Sequence, residues 1–300
     1  MNLHDLETFI AVAHARSFSR AAEFLHLTQP AVSKRIQRLE HDFGVRLFDR
    51  IGKQIYLTAA GDLLWPRAHF LLSEFTDTRR LLNNLKLEVS GVLALATSHH
   101  VGLHRLSPVL KAFTGEYPEV RLDIRFEDSE AAHDLVRHAQ SEMAIVTLDP
   151  QRSGPGTAER EELDYLAIWD DPLCFVTART HSLVDAHSTS LAELSTQPAI
   201  LPGLATYTGQ IVAELFADAG LPLKPSMSTN YLETIGMLVG SGLGWSVLPA
   251  SMVTADLVVL TTDAEPLHRT LGCVTHPGRT LSNAATAFRG VLATFHDDGF

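Results

Sequence analysis

Three short apolar stripes at helical spacing crowd into the first 43 residues, and they leave few ways to fold that stretch. Leu6, Phe9, Ile10 and Ala13 recur with the period of one helix. Phe18, Ala21, Ala22 and Leu25 mark a second, and Val32, Ile36, Leu39 and Phe43 a third. Helices this short are marginal alone, so the stripes must close on a shared core. Ala21 and Ala22 are small enough to let helices cross closely. His26–Leu27 turn into the third helix. There Thr28 is placed to cap, Pro30 is tolerated in the first turn, and Gly44 is placed to end the helix.

The outward face of the third helix is polar and basic. Gln29, Ser33 and Gln37 lie four apart on one side, with Lys34 and Arg38 beside them and Arg35 nearby. Amides and hydroxyls read base edges, and Lys and Arg neutralise phosphates. Arg46–Leu47–Phe48 and Ile55–Tyr56–Leu57 then flank a polar hexapeptide, predicting a two-stranded wing with Arg50 and Lys53 at its tip. A helix of this kind behind a tight turn is the recognition element of a helix-turn-helix. The competing reading is an ordinary three-helix bundle with a polar surface.

Charge supports the division. The net charge of −11 splits into +2 for residues 1–88 and −13 for residues 89–300, and residues 16–53 carry eight basic against four acidic side chains. An acidic body repels DNA, so the head alone is suited to touch it, although a basic stretch is commonly just a solvated face. Thr58 is placed to cap a helix running to about Leu87, on the order of 45 Å long. Leu64, Ala68, Leu71, Phe75, Thr78, Leu82 and Leu85 follow the alternating spacing of a coiled-coil seam. Pro66 is expected to disturb its first turns. The stripe points to a homodimer through this linker, the alternative being packing on the chain's own body.

The remainder reads as α/β. Strands at Val92–Ala96, Val120–Phe126 and Met143–Leu148 alternate with a helix on Leu103, Leu106, Leu110 and Phe113 and another across 129–140, implying a largely parallel sheet. Asp149–Glu162 reads as a loop. Further strands at Leu163–Trp169, Leu173–Thr177 and Gly244–Leu248 and helices at Tyr207–Ala219 and Leu232–Val239 suggest a second lobe. Strand Leu271–Val274 and helix Ala284–Phe295 return to the first. The expected domains are therefore a DNA-binding head (1–58), a linker helix (59–88) and a two-lobed effector domain (89–300). Its first lobe takes about 89–163 and 268–300, and its second about 164–267.

Two lobes of this class enclose a cleft suited to a small ligand. Thr97–Ser98–His99–His100 end a strand and open a helix, where hydroxyls and free amides favour an anion. Thr147 ends another strand of the same sheet, and Tyr207–Thr208–Gly209 open a helix of the second lobe. Helix capping alone needs the same residue types, and spacing does not separate the two readings. No GxSxG, P-loop or GxGxxG is present, so no catalytic residues and no cofactor are expected, and Gly240–Gly244 lies between helix and strand in the reverse of phosphate-binding order. His99, His100 and His104, and the His133/His138 pair, match no metal motif, so no metal is expected. Cys174 and Cys273 stand far apart in apolar strands, which excludes a disulfide framework and fits a reducing cytosol. No apolar run approaches the roughly 20 residues of a membrane span, and the polar N-terminus is unlike a signal peptide.

The combined pattern resembles the LysR-type transcriptional regulators. The carrying residues are Leu6–Phe9, Ser17–Ala22, Thr28–Ser33, Ile36–Leu39–Glu40, Gly44–Arg50 and Leu57–Gly61, with a weaker match through Pro118, Met237–Gly240, Gly242, Gly244 and Leu248–Pro249. The resemblance covers the whole chain. It implies a winged helix-turn-helix, a linker helix and an effector domain like periplasmic binding proteins. It also implies binding to interrupted inverted repeats in double-stranded DNA, commonly as a tetramer, with RNA polymerase as a further partner. Carried over, Gln29, Pro30, Ser33, Lys34 and Arg38 face the major groove, and Arg50 and Lys53 make wing contacts. Ala96–His100 looks like the Thr-rich turn of the sulfur-responsive branch, which implies a sulfur oxoanion as effector; His100 and Val101 depart from that pattern. Two other readings are an enzyme fused to a DNA-binding head and a DNA binder without a ligand.

Overall fold

Asn2 opens the first helix by accepting the Asp5 amide (2.9 Å) while the Asp5 carboxylate accepts the Asn2 amide (3.1 Å), a reciprocal cap. The computed structural model describes residues 2–51, 54–86, 88–151, 163–185 and 188–296, and the chain divides into two compact units, Met1–Lys86 and Leu87–Phe300. In the first unit, α1 (Leu3–Ala15), α2 (Phe18–Phe24) and α3 (Gln29–Phe43) close on Leu6, Phe9, Val12, Ala21, Val32, Ile36 and Leu39. The turn between α2 and α3 passes through His26 in the left-handed region (φ 53°). Thr28 holds the N-cap position of α3 but makes no side-chain cap bond, contrary to expectation. Gly44 ends α3 in the left-handed region (φ 68°), where no Cβ obstructs it.

Strands β1 (Phe48–Ile51) and β2 (Gln54–Leu57) pair antiparallel, Phe48 opposite Leu57. Glu40 ties this hairpin to α3 by accepting the Leu47 amide at 2.8 Å. Thr58 caps α4 (Ala59–Asn84), accepting from Gly61 N at 3.1 Å. Helix α4 runs unbroken through Pro66, where a disturbance was expected. Leu64, Trp65, Ala68 and Leu72 anchor its first half on the head core, which outweighs the one backbone bond proline removes. The apolar stripe of α4 is thus divided: Leu64 and Ala68 belong to the head, whereas Leu71, Phe75, Leu82 and Leu85 are exposed.

The second unit holds one nine-stranded sheet among the described residues. Its first part is β3 (Gly91–Thr97), α5 (His99–His104), α6 (Leu106–Glu116), β4 (Val120–Phe126), α7 (Ser129–Arg137) and β5 (Met143–Thr147), with β4, β3 and β5 parallel. Where one helix was expected after β3 there are two, because Arg105 departs from helical geometry (φ −117°) between them. Of the loop expected at Asp149–Glu162, residues 152–162 lie outside the described residues. Then comes β6 (Asp164–Ala178), a single 15-residue strand where two were expected. Pro172 sits inside it, and is tolerated because β9 pairs with β6 only from Leu173 onward.

The second lobe contains α8 (Leu191–Leu194), β7 (Ala199–Leu201), α9 (Tyr207–Asp218), β8 (Pro225–Ser228), α10 (Leu232–Gly240), β9 (Trp245–Pro249) and β10 (Leu257–Val259). Strand β11 (Leu267–Thr275) returns antiparallel to β6 over its whole length and also pairs with β5, and α11 (Asn283–Ala293) closes the chain on the first lobe. The two long strands β6 and β11 therefore carry the chain from one lobe to the other and back. Leu93, Leu95, Phe113 and Phe288 fill one face of the first lobe, and Val212, Phe216, Trp245 and Val247 fill the second. Cys273 is buried and Cys174 half-buried, both unbridged.

Candidate functional site

Two arginines of α3 expected on DNA turn toward α1. Arg38 donates from Nε (3.0 Å) and Nη2 to the Asp5 carboxylate, and Asp5 is wholly buried. Arg35 Nη1 donates to Thr8 Oγ1 at 3.3 Å. Both therefore set the angle of α3 on α1. Gln29, Pro30 and Lys34 are exposed and Ser33 half-buried on the first two turns, and Gln29 Nε2 donates to Ser33 Oγ at 2.9 Å. The backbone of Arg50 lies in β1, while its side chain and all of Lys53 lie outside the described residues.

In the second unit a cavity of about 300 Å³ opens between the lobes. Ser98, His99, His100, Thr147, Tyr207 and Thr208 all line it. Thr97 does not: it is wholly buried at the end of β3, where its hydroxyl donates to Ile145 O at 2.7 Å. Its expected place at the ligand is corrected to a strand-to-strand tie. Two features bear on whether these hydroxyls are merely caps. Thr206 caps α9, accepting from Gly209 N at 3.1 Å, which leaves Thr208 to another partner. Ser98 holds the N-cap position of α5 but makes no side-chain cap bond.

The partner of Thr208 is Arg269, which the sequence reading missed. It stands on β11 directly opposite Asp171 on β6. Arg269 Nη1 donates to Thr208 Oγ1 at 2.9 Å, and Nε donates to Asp171 Oδ2 at 2.8 Å. Arg105 Nη2 donates to Asp171 Oδ1 at 3.2 Å. Both Arg269 and Asp171 are buried. Two guanidinium groups thus share one carboxylate beside the cavity. Burial followed by the field of Arg269 pushes the pKa of His100 down to about 3, so its imidazole is neutral. Neither Arg269 nor Asp171 falls inside a strand expected from the sequence, and only the pairing of β11 with β6 brings them together.

Carboxylates line the opposite wall: Glu127, Asp128 and Glu130. Two of them are engaged across the cleft. Glu130 accepts the Tyr207 amide at the start of α9, and Asp128 accepts Asn230 Nδ2 at 2.7 Å. Burial raises the pKa of Glu130 and also that of the Tyr207 phenol. The histidines meet a carboxylate that the sequence did not show near them: Glu233 of α10 has His104 Nε2 at 3.1 Å and His99 Nδ1 at 3.4 Å.

A winged helix-turn-helix with a polar, basic helix face, joined to an α/β unit with a ligand-sized cavity, defines a DNA-binding transcriptional regulator with an effector-binding domain. Residues 3–62 match the bacterial regulatory helix-turn-helix protein, lysR family, and residues 86–296 match the LysR substrate binding domain. The chain is 32% identical over 305 residues to the RuBisCO operon transcriptional regulator of Acidithiobacillus ferrooxidans, spanning 99% of this chain and 95% of that protein. A full-length OxyR variant from Pseudomonas aeruginosa shares the fold with a TM-score of 0.68 at 22% identity, covering 97% of this chain and 94% of that one. Full-length CbnR, solved in complex with its target DNA, does so with a TM-score of 0.63 at 20% identity, covering 98% and 100%. The chain belongs to the LysR family of transcriptional regulators. Among the described residues no helix is long and apolar enough to cross a membrane.

Proposed function

We propose that this regulator senses a small anion in the cavity between its lobes and transmits occupancy to DNA through the head. The observation that carries the reading is Arg269, a buried guanidinium lining the cavity, ion-paired with Asp171 and hydrogen-bonded to Thr208. Ser98, whose hydroxyl makes no cap bond, and Thr147 supply further polar contacts on the same cavity. A volume of about 300 Å³ is at the lower end for small-molecule sites and has room for an organic carboxylate as well as a bare sulfur oxoanion. The shared chemistry is an oxyanion.

In this reading Gln29, Pro30, Ser33 and Lys34 meet the major groove, and Arg50 and Lys53 reach the backbone from the wing. Arg35 and Arg38 position α3. The exposed Leu71, Phe75, Leu82 and Leu85 of α4 form the seam to a second copy, so that two heads meet two half-sites of an inverted repeat. Linkage requires the anion to bind the closed and open arrangements of the lobes unequally, and DNA affinity then shifts by the same factor. Fluorescence anisotropy of an operator fragment, titrated with the full chain in the presence of sulfate, thiosulfate or a dicarboxylate, tests it. One of these shifts the DNA affinity, and Thr208→Val removes the shift while leaving anion-free DNA binding unchanged. DNA affinity indifferent to every anion would refute the reading.

A further inference from the structure

Helix α5 presents His100 and His104 one turn apart, on the same face. Their ring centroids are 4.8 Å apart, and Glu233 reaches them from α10. One ligand atom from each of His100, His104 and Glu233 lies within 4.8 Å of the other two. In a tetrahedral zinc site with N and O ligands near 2.0–2.2 Å from the ion, the ligand atoms stand roughly 3.3 Å apart. The remaining closure is on the scale of a side-chain rotation.

This cluster differs from a surface ion pair in what it leaves unmade. His100 is only 5% exposed, yet neither ring nitrogen has a hydrogen-bond partner. Glu233 Oε2 is likewise shielded from solvent without a hydrogen bond, His99 Nδ1 standing 3.4 Å away. Buried polar atoms are nearly always satisfied, so orphaned atoms grouped in one place call for an explanation. A cation engages one His100 ring nitrogen together with the Glu233 carboxylate, and the other ring nitrogen keeps its N–H. Asp171 Oδ2, 3.8 Å from His100 Nε2, is within reach to orient the ring and offsets the charge of Arg269 behind it.

We infer that His100, His104 and Glu233 form a site for a divalent transition-metal ion. Two imidazoles and one carboxylate suit Zn2+, and Co2+ and Ni2+ fit the same donors. The side chains of His104 and Glu233 are about one-third exposed (33% and 31%), so the site is reachable from solvent. His100 also lines the cavity, and a three-donor site leaves a position for water or for a ligand atom. Helix α5 belongs to the first lobe and α10 to the second. A bound ion ties them together and stabilises whichever lobe arrangement brings them close. This inference does not depend on the anion reading, and its test contains no candidate effector.

The test uses the full chain, stripped with EDTA and titrated with ZnCl2 by calorimetry and with CoCl2 by visible absorption. The expected result is one strong Zn2+ site per chain and the intense absorption of four-coordinate Co2+. His104→Gln and Glu233→Gln each weaken Zn2+ binding at least about tenfold and abolish that absorption. Both side chains are partly exposed, and an unchanged metal-free unfolding midpoint shows that the variants fold. With 15 histidines in the chain, Zn2+ has other places to go. Binding of equal strength in the wild type and both variants would overturn the site, as would the absence of any saturable Zn2+ binding at micromolar concentration.

Discussion

Replacing Asp171 by Asn tests whether the charge cluster at the cavity is built as described. Asp171 accepts Arg269 Nε at 2.8 Å and Arg105 Nη2 at 3.2 Å, and it is 1% exposed. Asn keeps the shape and one acceptor but removes the charge. Arg269 is then left as a buried cation without its carboxylate, and breaking a buried pair from one side costs about 3–5 kcal/mol. For a unit of this size each kcal/mol moves the midpoint by roughly 2–4 °C, so the expected drop is about 6–20 °C. That is a large share of a total stability of about 5–15 kcal/mol. The assay is urea and thermal unfolding of the full chain by tryptophan fluorescence, with Trp169 and Trp245 reporting on the second unit. Arg269→Met with Asp171→Leu, which removes both charges, is expected to be milder than Asp171→Asn alone. Sulfate is expected to rescue Asp171→Asn more than it stabilises the wild type. A loss below about 1 kcal/mol for Asp171→Asn, or a double variant worse than the single one, would show that the shared carboxylate does not hold this cluster together.

Four further outcomes are expected. Lys34→Ala weakens binding to all DNA sequences, lowers the salt slope by about one and leaves the unfolding midpoint unchanged, whereas Ser33→Ala relaxes base preference. Arg38→Ala lowers both DNA binding and head stability, because Asp5 is left buried without its partner; an unchanged unfolding midpoint would show that Arg38 is not holding α3. Burial pushes the pKa of His133 below its ordinary value of 6.5, so the unfolded chain takes up a proton that the native state refuses. The stability this confers is complete above about pH 6.5 and declines below it by at most about 1.4 kcal/mol per pH unit, and urea midpoints at pH 7.5 and 5.5 should show a shallower decline in His133→Gln. Ala139 holds a left-handed conformation (φ 63°) just after α7, so Ala139→Gly should raise stability by about 1 kcal/mol; no gain in the unfolding midpoint would count against it.

The sequence made the head legible because its contacts are local. Three stripes and a terminal glycine are enough to place α1 to α3, since each stripe closes on neighbours close by in the chain. What it hid were contacts made by topology. Asp171 and Arg269 become cross-strand neighbours only because β6 and β11 run antiparallel between the lobes, and Glu233 meets His104 across 129 positions. The single strand β6 was expected as two, Leu163–Trp169 and Leu173–Thr177, because the sequence does not show that β11 pairs continuously across the residues between them. The hydroxyls at Ser98, Thr147 and Thr208 were visible as candidates. Which of them cap helices and which face the cavity depended on Thr206, whose capping role frees Thr208.

Whether the cavity beside Arg269 binds an oxyanion decides the functional reading, and thermal unfolding of the full chain across sulfate, thiosulfate, acetate and small dicarboxylates answers it. At least one of these anions should raise the unfolding midpoint of the second unit in a saturable manner. Thr208→Val and Ser98→Ala should reduce that rise while nonspecific salt effects persist. A midpoint that no anion raises, or a rise that both variants retain in full, would mean that Arg269 serves the fold and not a ligand.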